Sequence, residues 1–319
     1  MKKRIIIVLA TILAAVLAAV GIGAVALTNY ALSSKHRQRT TEYGSIVRKY
    51  PELRSWIDSL QNADALRDTF IYMPDGLHAH ALFVRSPHAD AHTALMVHGY
   101  GNQCTDMLHI AHIYSAYLHY NVLLPDLHGH GASDGDDIRM GWLDRKDILH
   151  WIDIAPEIFH MPADSMCMVV HGISMGAATT MCVSGENTPH YVKCFVEDCG
   201  YTSAWDEFAH ELHGRFGLPK FPMLHAASAL TQLRYGWNFC EASPLKQVAR
   251  CHKPMLFIHG DNDTFVPTSM VHPLYNAKPQ PKQLWIAPGS AHANSYKDHK
   301  QEYIKRVTDF VKKYTIVVP

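Results

Sequence analysis

Ser174 lies in Gly172-Ile-Ser-Met-Gly176, between the apolar run Ser165-Met-Cys-Met-Val-Val170 and the small-residue run Ala177-Ala-Thr-Thr-Met-Cys-Val183. Strand, sharp turn and helix in that order hold a serine at the apex of a strained turn, and the flanking glycines remove the side chains that would clash there. A serine hydroxyl is a weak nucleophile at neutral pH, so it needs a base within hydrogen-bond reach and a third group that fixes the base's tautomer. The base is expected to be His292 in Gly289-Ser-Ala-His-Ala293, because it directly follows the last predicted strand in a loop of small residues. His98 and His259 also end strands, but each precedes a glycine and reads as loop geometry. The acid is expected to be Asp263 in Gly260-Asp-Asn-Asp-Thr-Phe-Val-Pro267, with Asp198 at the end of the preceding strand as the rival and Asp261 bracing the loop. Negative charge developing on a carbonyl oxygen needs donors already aimed at it. The backbone N–H of Met175 at the helix start and of Tyr100 in His98-Gly-Tyr-Gly101 are the expected pair, while the Tyr100 ring serves equally well as a pocket wall.

These groups must be carried by a regular scaffold, and the chain alternates strand-like and helix-like runs. Thr69–Met73 and His80–Val84 flank the turn Pro74-Asp-Gly76 and predict a leading antiparallel hairpin at the sheet edge. Buried strands follow at Thr93–Val97, Asn121–Asp126, Ser165–Val170, Lys193–Glu197, Pro254–Ile258 and Lys282–Ile286. Helices are expected near Thr105–His119 and Asp144–Ile158, behind Ser174, and at the end, where Tyr303, Val307, Phe310, Val311 and Tyr314 share a face. Repeated β-then-α units require an α/β fold with a mostly parallel sheet covered on both faces, with chemistry at the carboxyl ends of the strands. Residues 201–250 break the rhythm: helices over Trp205–His213 and Met223–Leu233 predict a cap insertion. Its Phe208, Phe216, Phe221 and Trp237 either line an acyl pocket or bury the insertion.

Ile5 to Leu27 carry no charge. As a helix this run rises roughly 34 Å, enough to cross a hydrocarbon core of about 30 Å. Lys2-Lys-Arg4 and Ala24-Val-Ala26 also suit a cleavable signal, but the run is long for one, so residues 1–32 read as an anchor before a signal segment. The basic residues before the span are nearly balanced by Lys35, Arg37 and Arg39 after it, and the catalytic domain is placed outside the cell or, after cleavage, secreted. Residues 33–66 read as a polar, partly amphipathic connector, in which Tyr50-Pro51 and Trp56-Ile57 suggest a short helix packed near the domain edge, and 67–319 as the catalytic domain.

Lys plus Arg and Asp plus Glu number 29 each, which gives no electrostatic reason to expect nucleic acid as a partner. The 23 histidines are scattered, and neither His109 with His112 nor His128 with His130 is joined by a ligand set resembling a metal site. No cofactor is called for. Seven cysteines without a CxxC pair read as buried thiols, although an oxidising compartment would permit one bridge.

Serine, acid and histidine in that chain order, with His98-Gly-Tyr-Gly-Asn102, Pro125-Asp-Leu-His-Gly-His-Gly-Ala-Ser133, Gly141-Trp142, Glu197-Asp-Cys-Gly-Tyr-Thr-Ser203 and His259 to Pro267, resemble the α/β-hydrolase superfamily over about residues 69–314. The resemblance is nearest to Bem-type membrane-anchored bacterial serine hydrolases, grouped with serine aminopeptidase-like and monoglyceride lipase-like enzymes. It implies an eight-stranded sheet and hydrolysis of an ester or amide. Related chains commonly carry Arg where this one has His128. The expected activity is cleavage of a small-molecule, lipid-like carboxylic ester through an acyl-enzyme on Ser174; a peptidase or acyltransferase would use the same residues, and a non-catalytic tethered binding module would keep the fold alone.

Overall fold

In the computed structural model, residues 2–34, 43–87 and 91–316 are described. Lys35, Arg37 and Arg39, which bear on membrane orientation, lie outside them. Eight strands form one sheet: β1 (Leu66–Tyr72), β2 (His78–Val84), β3 (His92–Val97), β4 (Asn121–Pro125), β5 (Cys167–Ile173), β6 (Val192–Asp198), β7 (Met255–Gly260) and β8 (Lys282–Ala287). Their order is β1-β2-β4-β3-β5-β6-β7-β8. β2 pairs antiparallel with β1 and β4, and every later pairing is parallel. The leading hairpin closes where expected, with Gly76 at φ +85° supplying the left-handed conformation that the turn requires.

The six longest helices among the described residues are α1 (Lys2–Leu32), α2 (Asp144–Phe159), α3 (Met175–Ser184), α4 (Ala204–Phe216), α5 (Met223–Tyr235) and α6 (Lys300–Thr315). By packing, the chain divides into two compact units: residues 34–202 with 243–319, and residues 1–33 with 203–242.

The larger unit holds the sheet. Alternate residues of its central strands, Ala94 and Met96, Cys194 and Val196, Leu256 and Ile258, join Tyr303, Val307, Phe310 and Val311 of α6 in one buried cluster. Strand side chains alternate between faces, so Leu95, Val97, Val170, Phe195 and Phe257 belong to the opposite face, and they too are buried. A sheet covered on both sides follows, which is why its strands read as continuous apolar runs. Residues 44–62 are helical, as Gly44–Lys49, Pro51–Leu53 and Arg54–Asn62, and they bury Ile46, Leu53, Ile57 and Leu60 in the α6 cluster. The run expected to be one helix near Thr105–His119 is three successive turns, Cys104–Met107 (3-10), Leu108–His112 (α) and Ile113–Tyr117 (π). Six of the seven cysteines are buried, Cys240 is exposed, and all are free thiols.

The smaller unit joins α1 to α4 and α5. Ala24, Thr28 and Leu32 are the buried residues of α1, one turn apart along a single stripe. Tyr30 meets the Phe216 ring edge-on at 6.1 Å, Arg234 Nη1 donates to Asn29 Oδ1 at 2.9 Å, and the Met223 methyl lies against Gly23. Phe208 packs on Phe239 at 4.6 Å, and Phe239 on Trp237 at 5.9 Å.

Candidate active site

Ser174 occupies the junction of β5 and α3 at φ +58°, ψ −120°, a conformation that L-residues rarely adopt. Close packing holds it there. A Cβ at Gly176 would strike the Val97 carbonyl, and one at Gly172 would strike the Gly176 carbonyl, so both glycines are required by contact. Ser174 N–H donates to the Asp198 carbonyl at 2.8 Å, tying the turn to the neighbouring strand.

Residues distant in the chain converge on the hydroxyl. Ser174 Oγ lies 2.8 Å from His292 Nε2, and His292 Nδ1 lies 2.7 Å from Asp263 Oδ2. With Nδ1–H donating to the carboxylate, Nε2 is the unprotonated nitrogen and turns its lone pair toward the serine hydroxyl. The other Asp263 oxygen, Oδ1, accepts from the backbone N–H groups of Phe265 at 3.0 Å and Val266 at 2.9 Å. The loops bearing acid and histidine are laced together: Asp261 Oδ1 accepts from Gly289 N–H at 2.5 Å and Asn262 N–H donates to the Ser290 carbonyl at 3.0 Å. Phe265 stands against the His292 ring with centroids 4.9 Å apart.

His259 was expected to be loop geometry, and the structure corrects this. It belongs to β7, is fully buried, and shares its Nε2 between the Val266 carbonyl at 2.9 Å and Asp263 Oδ2 at 3.3 Å. The available signal was its position four residues before the acid. Burial pushes the Asp263 carboxyl up, but hydrogen bonds from His259 and His292 and their positive character outweigh it and leave the pKa at about 2. Burial likewise disfavours charge on His259, yet Asp263, Glu197 and the Val266 carbonyl together raise its pKa.

Asp198, the rival acid, is engaged elsewhere. Its Oδ2 accepts from Tyr303 Oη at 3.0 Å, while Tyr303 also meets His171 Nε2 at 3.1 Å, and His171 Nδ1 meets Tyr114 Oη at 3.0 Å. Burial raises the Asp198 carboxyl to about 6 despite the tyrosine, and burial lowers His171 to about 3, so this ring is neutral. The Tyr114–His171–Tyr303–Asp198 chain was not foreseen, because its members are scattered through four elements.

On the other side of Ser174, a Cβ on Gly99 would stand 3.3 Å from Ser174 Cβ, so the loop carrying Tyr100 passes directly beside the serine. Met175 begins α3, where the first N–H groups have no partner within the helix. His128 places Nε2 3.0 Å from Asp137 Oδ1. The other histidines weighed as ligands have partners of their own: His109 Nδ1 meets the Asp106 carbonyl at 2.9 Å, His130 Nδ1 the His128 carbonyl at 2.9 Å, and His112 stands edge-on to Trp56 at 5.0 Å.

A model of the prolyl oligopeptidase family, Peptidase_S9, matches residues 120–316, a stretch that includes Ser174, Asp263 and His292 but not the Tyr100 loop. The protein YqkD of Bacillus subtilis (strain 168) is 30% identical over 226 residues, 71% of this chain and 73% of its own length. Among solved structures, the Pyrococcus furiosus esterase Pf2001 aligns at TM-score 0.63 and 21% identity, covering 79% of this chain and 93% of that one. Est1E from Butyrivibrio proteoclasticus, with ferulic acid bound, aligns at 0.59 and 17%, covering 77% and 98%. An acylaminoacyl peptidase in complex with Z-Gly-Gly-Phe-chloromethyl ketone aligns at 0.61 and 17%, covering 78% of this chain and 41% of that one. At these identities the three structures share the α/β-hydrolase fold.

Proposed function

Because the chain belongs to the prolyl oligopeptidase family, we propose that it is a serine hydrolase whose Ser174 forms an acyl-enzyme, with His292 as base and then acid and Asp263 as its orienting carboxylate. The observation that carries this reading is the unbroken chain of contacts, 2.8 Å from Ser174 to His292 and 2.7 Å from His292 to Asp263. Ser174 Oγ adds to the acyl carbon while its proton passes to His292 Nε2. The backbone N–H groups of Tyr100 and Met175 receive the developing oxyanion. His292 then delivers the proton to the leaving group, and water repeats the sequence to free the acid and restore Ser174.

The proposed substrate is a carboxylic ester of lipid-like character. Support comes from α1, a long apolar helix that would hold the enzyme beside a store of acyl esters, and from the fold it shares with Pf2001, an esterase. Ser174→Ala should abolish labelling by a fluorophosphonate, and p-nitrophenyl esters of graded chain length should be hydrolysed with a single optimum. Labelling that persists in Ser174→Ala would remove the nucleophile assignment. The second reading, a peptidase or acyltransferase, is favoured by the family match itself. Faster turnover of aminoacyl amides than of any ester, or transfer to an added amine or alcohol in preference to water, would establish it.

A further inference from the structure

We propose that α1 is a retained anchor whose membrane-exit end is built into the smaller unit, and that the turn between α4 and α5, led by Phe221, is seated in the surface of the same lipid leaflet. This rests on the reading of α1 as a membrane helix.

The stripe formed by Ala24, Thr28 and Leu32 is buried, whereas every residue from Lys2 to Ala19 is exposed. The N-terminal two-thirds of α1 therefore stands clear of the protein with Ile6, Ile7, Leu9, Leu13 and Leu17 all more than half exposed, and the last third is a packing partner of α5. Starting at Ile5, a helix crosses a core of about 30 Å in roughly 20 residues and so leaves it near Ala24. Packing begins at that height. Removal of α1 after Ala26 would strip Gly23 from Met223 and take the buried Ala24 out of the smaller unit, which argues against a segment meant to be discarded.

The heights of the other contacts locate the turn. Met223, at the start of α5, lies against Gly23, and Arg234, near its end, reaches Asn29, so α5 and α1 run in the same direction. Phe216, at the end of α4, meets Tyr30. The chain from Phe216 to Met223 thus descends along α1 toward the bilayer, and Phe221 precedes the lowest contact by two residues.

What this turn displays fits the lipid. Residues 213–221 are nine consecutive exposed positions, and within them Phe216, Leu218 and Phe221 present 49%, 36% and 72% of their surface. Apolar side chains gathered in one exposed segment mark an interaction surface. Lys220, beside Phe221, and Arg215, which pairs with Glu211, place cations within reach of lipid phosphates, while Phe221 at the lowest point enters the acyl boundary and Phe216, at the height of Tyr30, stays among the headgroups. The occupant proposed is a phospholipid leaflet, argued from continuity with the apolar helix packed beside the turn.

The full chain would be reconstituted in phosphatidylcholine–phosphatidylglycerol vesicles after replacing Cys240, the exposed thiol, with Ser. An environment-sensitive NBD label would then be attached to F221C and, separately, to L233C on α5, where the native leucine is 84% exposed. The expected result is a blue-shifted, brighter emission at position 221 that is quenched by lipids spin-labelled near the headgroup, and an aqueous spectrum at 233. Equal aqueous spectra in protein that resists alkaline extraction would overturn the seating of the turn and leave the anchor intact. Chains found to lack α1 after maturation, or extracted by alkali, would overturn the anchor itself.

Discussion

His259 Nε2 lies 3.3 Å from Asp263 Oδ2, the same carboxylate oxygen that His292 Nδ1 approaches to 2.7 Å. One acid therefore carries two imidazoles, one buried and one facing the serine. The buried ring fixes where the carboxylate points, so its removal should loosen the orientation of His292 without touching substrate.

H259Q is expected to lower kcat roughly ten- to a hundredfold with little change in KM, the effect of a small misplacement of the base. D263N should cost about 10⁴-fold, because the wrong tautomer of His292 is then stabilised. Steady-state kinetics on one ester separates the two, and an unchanged kcat in H259Q would show that Asp263 is positioned by the Phe265 and Val266 N–H groups alone.

D198N is expected to leave turnover within about threefold of wild type, since Asp198 is bound to Tyr303 and makes no hydrogen bond to His292. If D198N is as damaged as D263N is predicted to be, the acid has been misassigned.

Glu197 adds a pH dependence of known sign. Burial raises its carboxyl to about 8 from an ordinary value near 4.5, with His259 and the Gly200 N–H pulling it back only in part. Between these values the folded chain holds a proton that the unfolded chain has released, so stability is greatest below about 4.5 and falls as pH rises through about 8. E197Q should match wild type in thermal unfolding at pH 5 and exceed it at pH 9. Parallel melting curves at both pH values would refute the assignment.

G176A should destabilise the protein by about 3 kcal/mol or more, because the added methyl strikes the Val97 carbonyl, which is fixed in the sheet. Chemical denaturation measures the loss. Gly76 offers the contrast, since nothing surrounds a methyl there and only its φ of +85° resists one, so G76A should cost about 1 kcal/mol.

The order of strands and helices was legible because a sheet buried on both faces leaves apolar runs, and Ser174, Asp263 and His292 could be singled out as candidates because each follows such a run. What escaped was whatever depends on tertiary approach. His259 was dismissed on account of the glycine after it, although its place beside Asp263 follows from how the 260–267 loop folds back. His171 was invisible because a histidine within an apolar strand carries no mark of the two tyrosines that flank it. In Gly44–Asn62 the short helix suggested by Tyr50-Pro51 and Trp56-Ile57 is present, but how far the segment joins the core was not legible, because only one side of each short helix is apolar. The union of α1 with the 203–242 insertion could not be read either, since a helix apolar all round does not reveal which stripe meets protein. The short helix Val271–Ala277 between β7 and β8 gave too little periodicity to register.

The backbone at Ser174, at φ +58°, sets the chain at odds with its own persistence. A glycine in that place would sit at ease, and the folded state would gain what the reaction lost. On the proposed mechanism, a search for hardier variants judged by melting temperature alone would therefore be drawn toward a replacement that removes the nucleophile, so any such selection must be run with turnover as its second criterion.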